Sequence, residues 1–193
     1  MIIIALTGGI GSGKTTIAKL FETMGCLVYY SDEKAKELYY HTEIKKRVIQ
    51  LLGSDTYSAS GSLNSNFIAG IIFKDKTKLE SLNAIIHPAL EKDFEIFVKQ
   101  QPPDCIIIKE SALLFETDSY KKFKNIILVT ATLEQKIKRV MQRNNMPRET
   151  VVKRMSTQWP DEQKIPLANY IISNNDTEAI IPQVISIFKK IKS

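Results

Sequence analysis

The sequence predicts an α/β protein built on a parallel β-sheet flanked by helices. Short runs rich in isoleucine, valine and leucine alternate with stretches whose apolar residues recur every three to four positions. The runs are almost continuously apolar, which is typical of parallel strands covered on both faces. Alternation of such strands with helices indicates a doubly wound sheet. The candidate strands are Ile2–Thr7, Leu27–Tyr30, Cys105–Lys109, Asn125–Thr130 and Tyr170–Ser173.

Length and composition indicate one globular domain. The chain has 193 residues, of which 44% are hydrophobic and 25% charged, which excludes collagen-like, low-complexity and wholly disordered chains. No apolar run approaches the roughly 18 residues of a membrane helix, and no basic stretch precedes an apolar segment at the N-terminus. We therefore expect a cytoplasmic protein without a membrane partner. Its two thiols, Cys26 and Cys105, are expected to be buried and reduced.

Two intervals interrupt the alternation of strands and helices. Residues 33–101 show helical patterns and predict a helical insertion, and residues 133–166 form a basic interval punctuated by three prolines. A solvated helix face is the simplest interpretation of the basic interval. The helical patterns of the insertion are Glu33–Leu52, Ser65–Phe73, Lys76–Ile86 and Pro88–Gln101.

The segment Gly8–Thr15 carries the functional argument. It reads Gly-Gly-Ile-Gly-Ser-Gly-Lys-Thr and matches the P-loop pattern G-x-x-x-x-G-K-[ST]. Glycines allow the backbone to close on an anion, and the amides with the following helix N-terminus bind phosphates. Lys14 would reach the β- and γ-phosphates of ATP, and the Thr15 hydroxyl would bind Mg²⁺.

The context of this segment makes a chance match improbable. The bare pattern arises by chance in a chain of this size on the order of once in a hundred. Here a predicted strand, Ile2–Leu6, comes directly before it, and a predicted helix, Lys14–Met24, follows. Strand, glycine loop and helix are the arrangement that the motif needs. The sequence therefore predicts binding of ATP or GTP with Mg²⁺.

Three carboxylates follow predicted strands and compete for roles near the phosphates. Asp32 comes after the second strand and either accepts a proton from an attacking hydroxyl or caps the helix beginning at Glu33. Glu110 ends the third strand in the position of a metal-binding acid, and Glu116 competes for that role. The residues alone leave these alternatives open.

The basic interval has a second interpretation as a lid. Arg139 and Arg143 are four residues apart, so they share one helix face. Arginines neutralise the charge on the transferred phosphoryl group, and a hinged lid would exclude water from it.

The chain resembles the dephospho-CoA kinase family nearly from end to end. Beyond the Ala5–Thr16 form of the loop and Asp32, the resemblance rests on several downstream segments. These are Phe73, Leu82–Pro88 (L-N-A-I-I-H-P), Leu113–Glu116 (L-L-F-E), Lys138–Arg139 with Gln142–Arg143, Gln158 and Ala168–Asn174 (A-N-Y-I-I-S-N).

The resemblance implies transfer of the γ-phosphoryl group of ATP to the ribose 3′-hydroxyl of dephospho-CoA, with Mg²⁺. It implies a five-stranded parallel core similar to nucleoside monophosphate kinases, formed by residues 1–32, 102–132 and 167–193. Residues 33–101 would be the acceptor-binding insertion and residues 133–166 the lid. Nucleic acid is not an expected partner, and a monomer or small homo-oligomer is expected.

The resemblance also implies roles for individual residues. Lys14, Asp32 and Arg143 would be catalytic, with Thr15 at the metal. The acceptor side would comprise Asp32, His87, Leu113, Leu114 and Glu116. The nucleotide would be held by Gly11, Ser12, Gly13, Lys14, Thr15, Thr16, Arg139 and Asn174.

The sequence departs from the family pattern at four positions. Tyr30 replaces the first acid of the usual D-A-D, Ala112 replaces a proline and Asn169 an aspartate. Ser65 replaces an arginine, and Lys45, Lys46 or Arg47 would then contact the acceptor's phosphates.

Three aromatic or imidazole side chains need a separate interpretation. His41 is expected in solvent. His87 precedes Pro88, which favours an extended conformation at a helix end. Trp159 is expected to pack rather than to face the nucleotide.

Three other functions compete with this one. A nucleoside or nucleotide kinase would share the loop and differ in its acceptor. A GTP-dependent switch would carry D-x-x-G and N-K-x-D, and the chain shows neither; its nearest approach to the second is Thr77–Glu80. Nucleic-acid binding is suggested by the net charge of +6 alone, without the basic, aromatic strands that stack bases.

Overall fold

In the computed structural model, residues 1–72 and 74–192 are described, and they divide into two compact units. One unit comprises residues 1–30 with 102–193, and the other comprises residues 31–101. Phe73, which belongs to the predicted helix Ser65–Phe73 and to the family resemblance, lies outside the described residues.

The first unit is built on a parallel sheet of five strands within the described ranges. The strands are β1 (Ile2–Thr7), β2 (Leu27–Tyr30), β3 (Ile106–Glu110), β4 (Ile126–Thr130) and β5 (Tyr170–Ser173). Their order across the sheet is β2-β3-β1-β4-β5, and every pairing is parallel. This confirms the predicted fold class. Three strands have the predicted bounds, and β3 and β4 each begin one residue later than predicted.

Alternation along the strands fills two separate cores. Ile4 and Leu6 of β1 point to one face, where helices α1 (Lys14–Thr23) and α9 (Ile180–Lys192) cover them. Ala5, between them, points to the other face and packs with the segment that follows β3. Successive side chains of a strand project to opposite faces. The sheet is therefore buried on both sides, as its continuous apolar runs predict.

Between β4 and β5 the chain forms three α-helices of the first unit. They are α6 (Leu133–Asn144), α7 (Arg148–Met155) and α8 (Asp161–Lys164). Ile137 and Val140 of α6 pack on Val151 of α7, with Ile10 of the P-loop against them. The basic interval is thus joined to the loop by apolar contacts.

The second unit is helical. It contains α2 (Ser31–Leu38), α3 (Thr42–Leu52), α4 (Ser65–Ile72) and α5 (Lys76–Lys99). Its described residues include an apolar cluster formed by Leu38, Ile44, Val48, Leu52, Ile68, Leu82, Ile85 and Ile86. The pattern Glu33–Leu52, predicted as one helical stretch, is broken at Tyr39. The Tyr57 hydroxyl donates to the Tyr39 carbonyl at 2.6 Å, so a side chain replaces the helical partner of that carbonyl.

Helix α5 corrects the prediction of a break at His87. The helix continues through Pro88, and His87 is half-buried in its middle rather than extended at a helix end. Pro88 removes the amide that would bond to Ala84, but both residues lie on the exposed side, where the carbonyl is open to water. Apolar side chains buried before and after the proline, including Ile86 and Phe94, hold the helix together.

The cysteines and His41 differ in how exposed they are. Cys26 is buried and Cys105 is half-buried, and both are free thiols. His41 is exposed, as expected. Among residues 1–72 and 74–192, no helix has both the length and the apolarity needed to cross a membrane.

Candidate active site

The P-loop connects β1 to α1 as the motif requires. Gly11 and Gly13 adopt φ angles of 81° and 94°, in the left-handed region that favours glycine. Helix α1 begins at Lys14, so its first amides point toward the loop. Ser12 lies between the two glycines, and its buried hydroxyl has no hydrogen-bond partner among the described residues. The loop therefore presents glycine geometry, a helix N-terminus and an unpaired hydroxyl in one place, which fits a phosphate chain.

The loop is held from outside by three neighbours. A Cβ atom on Gly8 would collide with the carbonyl oxygen of Val129 at the end of β4. A Cβ on Gly11 would collide with the carbonyl oxygen of Lys136 in α6. The glycines thus permit close approach of neighbouring backbone as well as an unusual φ angle.

Asn174 is the third neighbour. Its Nδ2 donates to the Ser12 carbonyl at 2.8 Å and occupies the position that a Cβ on Gly13 would take. Its own amide bonds to Thr130 at 2.9 Å, directly after β5. Asn174, a residue predicted to contact the nucleotide, lies beside the loop and braces its backbone.

Lys14 is buried against the loop. Its Nζ donates to the Gly8 carbonyl at 2.9 Å and lies 3.9 Å from Oε1 of Glu110. Glu110 ends β3, next to β1 in the sheet, and is also buried. Of the two competing glutamates, Glu110 is therefore the one beside the P-loop lysine.

Arg139 and Arg143 face the start of α1. Together with Gly11, Gly13, Lys14, Thr15, Thr16 and Val140 they line a cavity of about 130 Å³. Arg139 is fixed by hydrogen bonds from Nη2 to the Asn174 carbonyl at 2.9 Å and to Asp176 at 2.6 Å. Arg143 is exposed, and its Nε donates to the Asn144 side chain at 2.9 Å. One arginine is thus held in place and the other lies at the surface of the same cavity.

The segment after β3 is anchored in the core and by residues 159–164. Leu113 is 41% exposed, whereas Leu114 is 1% exposed and packs in the core beneath it. Oε1 of Glu116 accepts from the Trp159 amide and lies 2.8 Å from Nζ of Lys164, which is fully buried. Trp159 stacks on Phe115, with ring centroids 6.4 Å apart, and 38% of the residue remains exposed. Glu116 thereby anchors the chain that precedes β5.

Sequence reasoning missed a second buried ion pair beside the loop. Lys136, counted only as one of many basic residues, lies 2.5 Å from Oδ2 of Asp161, and both side chains are nearly buried. The pair lines a cavity of about 560 Å³ with Gly9, Ile10 and Trp159. No local signal marks it, because the two residues are 25 positions apart and each resembles a surface charge.

Asp32 and His87 belong to the helical unit. Asp32 is exposed in the first turn of α2, which begins at Ser31 rather than at Glu33. It therefore does not occupy the capping position expected for a helix beginning at Glu33. His87 lies half-buried in α5.

Comparison with known proteins gives consistent results. A family model described as dephospho-CoA kinase matches residues 2–179. A dephospho-CoA kinase of Bacteroides fragilis is 34% identical over 187 residues, covering 96% of this chain and 91% of that protein. One from Chlorobaculum tepidum is 37% identical over 183 residues, covering 91% of this chain and 88% of its own.

Solved structures share the fold. A protein of Thermus thermophilus superimposes with a TM-score of 0.88 at 28% identity, covering 98% of this chain and 96% of that one. The dephospho-CoA kinase of Campylobacter jejuni has a TM-score of 0.69 at 20% identity, with coverage of 98% and 96%. Shikimate kinase from Acinetobacter baumannii has a TM-score of 0.53 at 16% identity, and the match covers 100% of this chain and 93% of that one. The family model over residues 2–179 and the relatives at 34% and 37% identity show that the chain belongs to the dephospho-CoA kinase family.

Proposed function

We propose that this chain transfers the γ-phosphoryl group of ATP to the 3′-hydroxyl of the ribose of dephospho-CoA, giving coenzyme A and ADP. The observation that carries the proposal is the cavity at the start of α1, where Lys14, Thr15, Arg139 and Arg143 meet the P-loop. Family membership favours dephospho-CoA over a nucleoside acceptor. The free thiols of Cys26 and Cys105 fit a reducing compartment, so we propose that the enzyme is cytoplasmic.

The triphosphate would lie against the backbone amides of the loop. Lys14 would exchange the Gly8 carbonyl, which it now contacts, for oxygens of the β- and γ-phosphates. Ser12 and Thr16 would add hydroxyl donors beside it. Mg²⁺ would be held by the Thr15 hydroxyl and the phosphates, where it would neutralise developing charge. The exposed side chain of Thr15 on the first turn of α1 supports this assignment.

Asp32 would act as the general base. It follows β2 directly, at the carboxyl end of a parallel strand, where ligands of open α/β sheets bind. A carboxylate there can accept the proton of the attacking 3′-hydroxyl as the new P–O bond forms. His87, Leu113 and Glu116 would lie on the acceptor side, with Leu114 supporting Leu113 from the core.

Arg139 and Arg143 would stabilise the transition state. Charge spreads over the three equatorial oxygens of the transferred group, and fixed cations stabilise it most when water is excluded. The exposed position of Arg143 supports a role in the lid proposed for residues 133–166, in which Arg143 would move toward the nucleotide while residues 158–164 stay anchored. Arg139, already held by Asn174 and Asp176, would act as the static cation.

The assay follows ADP release with dephospho-CoA and with nucleoside monophosphates as alternative acceptors. We expect turnover with dephospho-CoA alone. Asp32→Asn should lower kcat by roughly 10²- to 10⁴-fold with ATP affinity preserved. Glu33→Gln, the neighbouring exposed carboxylate, is the matched control and should retain kcat. Faster turnover of a nucleoside monophosphate would show that dephospho-CoA is not the preferred acceptor. An unchanged kcat in Asp32→Asn would show that Asp32 is not the general base.

A further inference from the structure

Gln158 joins the P-loop to the segment that follows β3. Its Oε1 accepts a hydrogen bond from the Ile10 amide at 2.8 Å. Its Nε2 donates to the Ala112 carbonyl at 3.1 Å. The three residues are far apart in sequence, and each bond is partly buried. An amide side chain accepts at one atom and donates at the next, which is what this bridge requires.

The chain around Gln158 is held firmly, so the bridge is not a chance contact of a mobile side chain. The next amide, of Trp159, donates to Glu116 at 2.8 Å. Asp161 is paired with Lys136, and Lys164 lies 2.8 Å from Glu116 in a fully buried position. We call residues 158–164 the clamp segment. Its anchors lie on α6 and on the segment after β3, on either side of the bridge.

The bridge restrains the loop one residue before Gly11. Gly11 and the residues after it carry the positive φ angles and the amides that would bind phosphate. The Lys136 carbonyl contacts the loop at Gly11 and Asn174 contacts it at Gly13, both in its second half, while the Val129 carbonyl lies against Gly8 at its start. Gln158 acts on the first half, at Ile10. It also fixes Ala112, two residues after Glu110, which lies beside Lys14.

We infer that Gln158 is a positioning residue that holds the P-loop in its phosphate-binding shape by bridging the Ile10 amide and the Ala112 carbonyl. The inference rests on the proposed role of the loop in binding ATP. A side chain of the same size without hydrogen-bonding groups would leave a partly buried amide and a carbonyl unpaired. The loop would then adopt other shapes in the free protein, and ATP would bind only the fraction that keeps the correct one.

The test measures the dissociation constant of ATP with Mg²⁺ by calorimetry, together with kcat and KM. Gln158→Leu removes both hydrogen bonds and should weaken ATP binding about ten-fold. Gln163→Leu, an exposed glutamine in the same segment, is the matched control and should stay within about two-fold of the wild type. Thermal unfolding of each variant shows whether the protein remains folded.

Gln158→Glu separates positioning from packing. An ionised carboxylate still accepts from Ile10 but faces the Ala112 carbonyl with a second acceptor, so ATP binding should be weak at pH 8.5. The protonated acid regains a donor. The charged groups beside this position are the Lys136 ammonium and the Asp161 carboxylate, which are paired with each other, so partial burial is left to raise the pKa of the introduced carboxyl group. The affinity of this variant relative to the wild type should therefore recover as the pH falls to 6. A purely structural defect would not recover in this way.

The outcomes are separable. Wild-type affinity in Gln158→Leu would overturn the inference and leave the proposed function intact. If Gln158→Leu does not fold, Gln158→Glu tests the inference instead. A ratio of its ATP affinity to that of the wild type that stays constant with pH would then overturn the inference. Failure of the wild-type protein to bind ATP would instead refute the proposed function.

Discussion

Replacing Gly11 with alanine should separate the P-loop from α6, whereas the same change at Gly25 should not. Both glycines have positive φ angles, 81° and 87°, and both belong to the unit that contains the sheet. A Cβ on Gly11 would overlap the Lys136 carbonyl oxygen and lie 3.0 Å from two further backbone atoms of that residue. Around Gly25, no atom of the described residues lies within 4 Å of the added carbon.

The expected loss in the free energy of unfolding has one part common to both glycines and one part specific to Gly11. Left-handed backbone costs a non-glycine residue about 1–2 kcal/mol, and alanine recovers about 0.4–1 kcal/mol by restricting the unfolded chain. Gly25→Ala should therefore lower the free energy of unfolding by about 1 kcal/mol. Gly11→Ala should cost about 1–3 kcal/mol more, because helix backbone cannot rotate away as a side chain can.

Urea unfolding of the two variants measures this difference, and calorimetry measures ATP affinity. Gly11→Ala should lose affinity as well as stability, since the displaced residue belongs to the loop. Gly25→Ala, at the end of α1, should bind ATP normally. Equal losses of stability in the two variants would refute the reasoning, since they would show that φ strain alone sets the cost.

Further predictions concern charge and protonation. Arg143→Ala should lower kcat more than it raises the KM of either substrate; the reverse pattern in steady-state kinetics would remove Arg143 from the transition state. Lys164→Met should cost about 3–5 kcal/mol in urea unfolding, because it leaves Glu116 buried without its cation, and the double variant with Glu116→Gln should recover most of that loss. Burial raises the pKa of Cys26 to about 11, so the thiol stays neutral in the folded state while it ionises in the unfolded chain. Stability should therefore fall as the pH rises above 9, and Cys26→Ala should weaken that dependence; identical alkaline slopes in urea titrations would contradict it.

The positions of the strands could be predicted because each is a short, continuous apolar run. Ile2–Thr7 and Tyr170–Ser173 have the predicted bounds, since apolar content and turn residues on either side define them locally. The continuation of α5 through Pro88 could not be predicted. The local preference of proline disfavours it, and the packing of Ile86 in the apolar cluster together with the burial of Phe94 outweighs that preference.

The candidate site divides in the same way. The P-loop is contiguous, and its glycines, lysine and threonine each have a chemical purpose that the sequence displays. Arg139 and Arg143 could be placed on one face by helical spacing. The ion pair of Glu116 could not be predicted. Its partner, Lys164, is 48 positions later in the chain, and only folding brings the two together.

The sequence alone determined the sheet, the phosphate-binding loop and the family, because each of these depends on residues that are neighbours along the chain. Tertiary structure decided which charges are buried and which side chains hold the loop. Lys136 and Asp161, Glu116 and Lys164, and Gln158 with Ile10 are partners only because separate elements pack together. A charged or amide group can be buried only where its partner is supplied, and that partner comes from a distant part of the chain.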